Sequence, residues 1–191
     1  MSAGIKANAD GSAAIQVGGS DAITITSGLA VSMNGGVNYP LVSGTAVAST
    51  SGTSIDFTGI PSTAKRITVM FNNISTNGTS NFLVQLGDSG GIENTGYVSG
   101  CVHVGGANST STAGYLINMV VAAVNTYGGA ITLSTIGTNI WCETGILNRN
   151  DGVPIMSAGT KTLSDVLDRV RITTVNGTDT FDAGSINIMW E

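Results

Sequence analysis

The stretch 87–91, Gly-Asp-Ser-Gly-Gly, is the part of this sequence that most suggests catalytic machinery. A serine hydroxyl becomes a nucleophile when an imidazole base lies within hydrogen-bond reach and a carboxylate holds that base in place. His103 is the single histidine, and it follows Ser89, whereas the histidine of chymotrypsin-type proteases precedes the serine. Glycines at this density are typical of a tight turn. The sequence therefore predicts a turn between Leu86 and Ile92 and not a nucleophile.

The remaining side chains give little indication of an acid–base catalytic site or a metal site. General acid–base catalysis needs two carboxylates in one cleft, and no spacing singles out such a pair. Cys101 and Cys142 form no Cys-x-x-Cys pair, and neither they nor His103 have acidic neighbours at metal-ligand spacing. We expect free thiols, with a disulfide between the two cysteines as the alternative. We also expect no enzyme activity, no metal and no cofactor.

Trp141 is the strongest candidate for a contact residue. In an alternating strand it shares one face with Asn139 and Glu143, which predicts a large ring on the more polar face. An exposed aromatic ring beside amide and carboxylate groups suits sugar stacking or a protein interface. Ordinary packing of Trp141 is the alternative. Trp190 has the phase of the isoleucines in its strand and is predicted to lie in the core.

Charge is scarce in this chain and limits the classes of protein it can belong to. Charged residues are 10% of the sequence, the net charge is −5 and the pI is about 4.6. Seven Lys and Arg cannot form a basic stripe that neutralises several phosphates, so nucleic-acid binding is disfavoured. The hydrophobic content of 41% disfavours disorder, and the frequent glycines disfavour a helical bundle. There is no apolar run of about 20 residues for a membrane span and no apolar segment of a secretion signal at the start.

Most of the chain reads as short strands separated by Gly and Asn turns. This pattern is typical of an all-β antiparallel sandwich or jelly roll, which we predict for residues 53–191. The one candidate for a helical turn is 164–167, where Ser164 could cap it. The strands of this domain are predicted at 65–71, 82–86, 97–104, 115–124, 130–135, 139–147, 167–175 and 184–190.

The first third of the chain differs from the rest. Its strands, predicted at 13–17, 22–26 and 29–33, are short and built of small residues without aromatics. Such strands cannot bury enough area alone, so they need partners, which can be the later domain, other copies of the chain or a larger particle. We therefore predict an anchoring and trimerisation segment at 1–36 and a linker at 37–52. The anchor side chains are predicted to be Ile15, Val17, Ile23 and Ile25.

Residues 53–191 resemble the carboxyl-terminal β domain of small structural and fibre-like proteins of tailed bacteriophages. The resemblance is carried by the stretches 53–61, 65–71, 86–93, 167–174 and 181–188. Residues 13–33 are similar to the repetitive, small-residue segments of phage fibre shafts and attachment regions. The resemblance implies a virion protein, usually trimeric, with no catalytic residues to carry over.

This resemblance, taken with the strand pattern, leads us to expect a fibre or spike subunit of a phage particle, assembled in the bacterial cytoplasm and located in the virion. We expect a homotrimer that binds other virion proteins through its first third and contacts the host surface, as glycan, through its β domain. Many weak sites on one particle bind strongly together, so deep pockets are not needed. The alternative is a capsid decoration protein that clamps neighbouring subunits of the head. We expect no nucleic-acid partner and no membrane insertion.

Overall fold

The computed structural model describes residues 3–9, 11–17, 20–25, 31–33, 36–38, 40–119 and 122–191. Within them the chain forms only β-strands and connecting turns, and antiparallel sheets pack together, so the predicted all-β sandwich class is confirmed. The chain divides into two compact units, Met1–Leu41 and Val42–Glu191, with the boundary inside the predicted linker. The described residues contain no helix that is long and apolar enough to cross a membrane.

Unit 1 is a five-stranded antiparallel meander. Its strands, in chain and sheet order, are β1 (Ala3–Ala7), β2 (Ala13–Val17), β3 (Ser20–Ile25), β4 (Val31–Met33) and β5 (Gly36–Asn38).

Three isoleucines lie side by side across this meander. The register pairs Ile15 with Ile5 on one side and with Ile23 on the other. The predicted anchor residues Ile15 and Ile25 are each 42% exposed, and Ile23 is half-buried. The side chain of Val17 lies outside the described residues. Unit 1 therefore presents isoleucine side chains to solvent instead of burying them.

Unit 2 is a sandwich of a large and a small sheet. The large sheet contains, in spatial order, β13 (Asn108–Ser111), β12 (Tyr97–His103), β17 (Pro154–Thr162), β16 (Ile140–Arg149), β15 (Tyr127–Gly137), β9 (Arg66–Thr76), β19 (Phe181–Trp190) and β6 (Val42–Ser43), with β7 (Val47–Ala48) also on β19. The small sheet contains β11 (Gly91–Ile92), β10 (Phe82–Asp88), β18 (Arg169–Thr174) and β8 (Ile55–Thr58), with β14 (Tyr115–Leu116) also on β10.

The core of unit 2 follows from the two-residue period of its strands. Successive side chains of a strand point to opposite faces, so every second residue can enter the space between two sheets. Ile67, Val69 and Phe71 of β9 do so from the large sheet, and Val84 and Leu86 of β10 do so from the small one. All these side chains are buried, and they belong to one continuous apolar cluster.

Sixteen of the outward positions of the large sheet form a surface that we call the neutral face; the charged outward residue Arg66, which pairs in register with Ser134, is not counted in it. Its members are Val98, Gly100 and Val102 of β12, Met156, Ala158 and Thr160 of β17, Cys142, Thr144 and Ile146 of β16, Ala130, Thr132 and Ser134 of β15, Thr68 and Met70 of β9, and Asn187 and Met189 of β19. No member of this set carries a charge. Arg66 lies at the edge of the face and pairs with Glu191.

The predicted linker and the candidate helical turn both differ from expectation in part. Residues of β6 and β7 lie within the predicted linker but pair with β19, so this segment is part of the large sheet. Residues 164–167 form a bend without helix. There Ser164 bonds to carboxylates across the chain instead of capping a turn of its own.

Candidate functional site

The orientation predicted for Trp141 is wrong. On β16 the positions Trp141 and Glu143 point into the sandwich, while Cys142 and Ile146 point outward onto the neutral face. Trp141 is 4% exposed and Glu143 is 1% exposed, so neither is a surface contact of the expected kind. The physical reason is that burial of the indole stabilises the fold by more free energy than burial of its polar neighbours costs. Because alternate residues of a strand share a face, Glu143 is then buried on the same side as Trp141. The side chain of Trp190, predicted to lie in the core, packs against the core cluster and is half-buried.

Trp141 nevertheless reaches a cavity at one end of unit 2. The cavity has a volume of about 370 Å³ and opens to solvent. Buried side chains of Ala64, Trp141 and Leu167 give it an apolar floor. Asn139 lies at its rim and is half-buried. Two of the three predicted contact residues, Trp141 and Asn139, thus meet at one cavity, whereas Glu143 is not part of its lining.

The rim of the cavity carries polar side chains that have no partner within the described part of the chain. They are the hydroxyls of Ser62 and Thr138, the amide of Asn139 and the ammonium of Lys65. Lys65 is exposed and forms no ion pair with any described carboxylate. These unpartnered donors and acceptors are available to a ligand, because no hydrogen bond within the protein has to break when the ligand binds.

Backbone hydrogen bonds hold these rim residues in position. The N–H of Thr135 donates to the carbonyl of Lys65 at 3.0 Å, which joins the start of β9 to the end of β15. The N–H of Leu163 donates to the carbonyl of Asn139 at 2.8 Å. Asn139 has a φ of 61°, in the left-handed region that asparagine tolerates better than most residues. This conformation closes the β15–β16 hairpin and sets the amide at the cavity mouth.

Glu143 is instead a carboxyl group of the core. Its Oε1 accepts a hydrogen bond of 2.7 Å from the hydroxyl of Ser157, and its Oε2 has no partner. Burial raises the pKa of Glu143 to about 7, and the bond from Ser157 lowers it only in part. The Cys101 thiol nearby has a pKa raised to about 11, also because of burial. The two cysteines are free thiols, as predicted.

The Gly-Asp-Ser-Gly-Gly stretch forms the predicted tight turn, here between β10 and β11, with Ser89 exposed at its tip. Asp88 is buried beside it and accepts hydrogen bonds of 2.8 Å from the Ser164 hydroxyl and the Gly90 N–H. These bonds, that of Ser164 most, hold the pKa of Asp88 below its usual value. The same hydroxyl lies 2.7 Å from Oε1 of Glu93. The motif therefore fastens a turn to the 163–168 segment.

A lysine completes this network on the other side of Glu93. Lys161 is buried, pairs with Glu93 and lies 5.2 Å from the centre of the Tyr97 ring. Burial opposes ionisation of Glu93, but the bonds from Lys161 and Ser164 outweigh it and lower its pKa. Every charged group of this network has a partner, which is typical of a structural cluster.

Sequence reasoning missed Ser62, Lys65 and Thr138 as site residues. Their approach to Trp141 depends on the β9–β15 register, in which Arg66 pairs with Ser134, and no local pattern reports a long-range register. The assembled cavity offers hydroxyl, amide and ammonium groups above an apolar floor, and this combination suits reversible binding of a polyhydroxylated ligand. No family model, curated protein or solved structure matches this chain.

Proposed function

We propose that this chain is a structural protein of a bacteriophage particle, a non-enzymatic fibre or spike subunit whose unit 2 contacts saccharides on the host cell surface. The observation that carries the saccharide contact is the cavity above Trp141, with its free rim groups Ser62, Lys65, Thr138 and Asn139. The resemblance of residues 53–191 to phage β domains supports the virion role.

The composition of the cavity indicates which saccharides to expect. Hydroxyl and amide groups bond sugar hydroxyls, and an apolar floor packs against the C–H face of a sugar ring. Lys65 is the single cation of the lining, and a carboxylate-bearing sugar would satisfy it. We therefore expect acidic surface saccharides to be preferred over neutral ones.

Unit 1 supplies the assembly role in this proposal. Its isoleucines Ile5, Ile15 and Ile25 are exposed on three adjacent strands of the unit 1 meander. Burial of such side chains against other copies or another virion protein contributes about 1.5–3 kcal/mol for each that becomes fully buried. Several copies held together would then multiply the weak affinity of each cavity.

A glycan array probed with the full-length protein tests the saccharide contact. Lys65→Gln removes the cation, and Asn139→Gly removes the rim amide while keeping the left-handed backbone that glycine adopts freely. Each change is expected to weaken binding about tenfold, the loss of one hydrogen bond to a charged or well-placed group. Lys6→Gln is the matched control, because Lys6 is exposed and does not line the cavity.

Two results would contradict the proposal. If no saccharide binds, or if the Lys65 and Asn139 variants bind as well as the Lys6 control, the cavity is not the contact site. Mass spectrometry and immunogold electron microscopy of purified particles test the virion role separately. Gold at a fibre or spike supports that role, and absence of the protein from particles rejects it.

A capsid decoration protein is the second candidate, and the neutral face favours it. A protein that clamps capsid subunits buries a broad surface, and the centres of such interfaces are depleted in charge. Gold distributed over the head, together with an empty glycan array, would select this function instead.

A further inference from the structure

The neutral face runs in continuous rows across six strands. One row joins Val102, Met156, Ile146, Ala130 and Met70 through direct register pairs. The exposed members include large apolar side chains: Val98 is 73% exposed, Ile146 59% and Met156 47%. Isolated apolar side chains at a surface are ordinary, but a connected row of them marks an interaction surface.

Part of the outward side of the small sheet faces solvent, on strands β8 and β18. It carries Arg171 and Asp56, directly opposite each other and joined by two hydrogen bonds of 2.7 Å. Gln85, the next partner of Arg171 in the register, is buried and donates a hydrogen bond to the Ala113 carbonyl, so the β10 part of this side is covered. Where the small sheet meets solvent it therefore carries a charged pair, whereas the members of the neutral face carry no charge.

The inward side of the large sheet sharpens the contrast. Buried there are the ionisable side chains Glu143, Arg149 and Lys161. The alternating pattern of β16 and β17 thus places charge inside and uncharged side chains outside. Solvent alone would favour the opposite arrangement, because burying charge is costly. The uncharged composition of the outward face is explained if another protein surface covers that face.

We propose that the neutral face is covered by the neutral face of a second copy of this chain. An ordinary protein surface would bring charged residues, about a quarter of an average composition, and leave them unpaired against the face. This chain itself carries a matching uncharged surface, and two sheets pack well face to face.

The area is at the minimum for such a pair. The sixteen members of the face lie on strands about 4.8 Å apart and in rows about 6.8 Å apart, which gives a footprint of about 520 Å² for each copy. The pair then buries about 1,000 Å² in total, the minimum expected of a specific interface, so we expect pairing to be weak and to depend on concentration. The proposal does not depend on the saccharide contact or on unit 1.

Cys142 provides a probe on this face, in the outer row that contains Thr160 and Ser134. Its thiol is free and half-buried, whereas Cys101, also free, is buried in the core and serves as the internal control. The experiment measures iodoacetamide labelling of each cysteine by mass spectrometry, over a concentration series followed in parallel by sedimentation. Labelling of Cys142 is expected to slow about tenfold as pairs form, because the paired face excludes the reagent. Labelling of Cys101 is expected to stay slow throughout.

Charge placed on the face should separate the copies. Ile146→Glu puts a carboxylate between Ala130 and Met156, and we expect pairing to weaken at least about a hundredfold and Cys142 labelling to become independent of concentration. Val124→Glu is the control, because Val124 is 80% exposed and not a member of the face. Circular dichroism checks folding, and Met156→Lys replaces Ile146→Glu if the latter does not fold.

Three outcomes would overturn the proposal. The full-length chain could remain monomeric over the whole series. It could associate while Cys142 labelling stays constant or while Ile146→Glu pairs as tightly as the Val124 control, and the contact then lies elsewhere, as in unit 1. Cys142 could be protected only in purified particles, in which case a different virion protein covers the face.

Discussion

Trp141 and Glu143 occupy successive inward positions of β16, and their environments differ sharply. The indole packs in the apolar cluster beneath the cavity, while the carboxyl group has one hydrogen-bond partner, Ser157, and an unpartnered oxygen. The first side chain stabilises the fold through burial, and the second costs free energy whenever it ionises. Both effects can be measured by substitution.

Trp141→Ala is expected to lower the free energy of unfolding by roughly 3–5 kcal/mol, the usual cost of deleting a buried aromatic ring. Trp190→Ala is the matched control and should cost less, because Trp190 is only half-buried. Chemical denaturation of both variants provides the measurement. A loss below about 1 kcal/mol for Trp141→Ala would show that the ring does not support the core.

Glu143 is expected to make stability depend on pH in a defined window. Its folded pKa is about 7, above the reference value of 4.5, so the unfolded chain loses the proton first as pH rises. The free energy of unfolding should therefore fall between about pH 4.5 and 7 and level off above, by up to about 3 kcal/mol in total. The neighbouring Cys101 and Tyr115 have raised pKa values because they are buried, and they stay neutral in that window.

Glu143→Gln should remove this pH dependence and stabilise the protein at pH 8. Denaturation of the variant and the wild-type chain at a series of pH values gives the difference directly. A difference that does not change with pH would mean that Glu143 ionises normally in the folded state. Asp88 and Glu93 affect a lower range, because their depressed pKa values make stability fall only as pH drops through them.

At the scale of elements, irregular pairing between β9 and β19 shapes one end of the large sheet. The register shifts on both sides of Ala183, and Gly184 sits in the shift with a φ of 88°. A Cβ on Gly184 would lie 2.4 Å from the carbonyl oxygen of Asn72, which is backbone and cannot move aside cheaply. Glycine is therefore required here both for its conformation and for space.

Gly184→Ala is expected to cost more than about 3 kcal/mol of stability, since both strands must shift to admit the methyl group. Gly177→Ala separates the two causes, because Gly177 also has a positive φ but no atom within 4 Å of its Cβ position. That control should cost about 1–2 kcal/mol, the conformational penalty alone. Thermal denaturation compares them, and equal losses would show that crowding at Gly184 is relieved.

The strands of unit 2 were largely predictable, whereas their inward faces and partners were not. Alternation marks β9, β10, β16 and β19, but β17 escapes the pattern because Pro154, Gly159 and small residues dilute its hydrophobic signal. Among the described residues of the segment predicted as a strand over 115–124, strand structure is found at Tyr115–Leu116 alone. The face of β16 was misassigned because a buried carboxyl group beside Trp141 looks like a polar surface. The cavity depends on a long-range register, which no local pattern contains.

At the scale of the whole molecule, the division at Leu41 and Val42 predicts that unit 2 folds without unit 1. Removal of residues 1–41 keeps β6 and β7, which pair with β19, and should leave the melting temperature of unit 2 unchanged within a few degrees. Association through unit 1 should be lost in sedimentation, and so should assembly onto particles. Unfolding of the truncated chain would show that unit 1 is part of the same cooperative structure.

The pairing of β6 and β7 with β19 has a mechanical consequence. Tension applied to unit 1 enters unit 2 at Val42 and first loads the β6–β19 pairs at Val42 and Ser43. It then reaches the bond from the Gly44 N–H to the Ile188 carbonyl, at 2.8 Å, and later that from the Ser49 N–H to the Gly184 carbonyl, at 3.0 Å. Ser49 adds a hydroxyl bond of 2.7 Å to the Ala183 carbonyl and is fully buried. The segment 42–49 can therefore detach from β19 under load and absorb mechanical work, while the hydrogen bonds between β9 and β19 keep the sandwich intact.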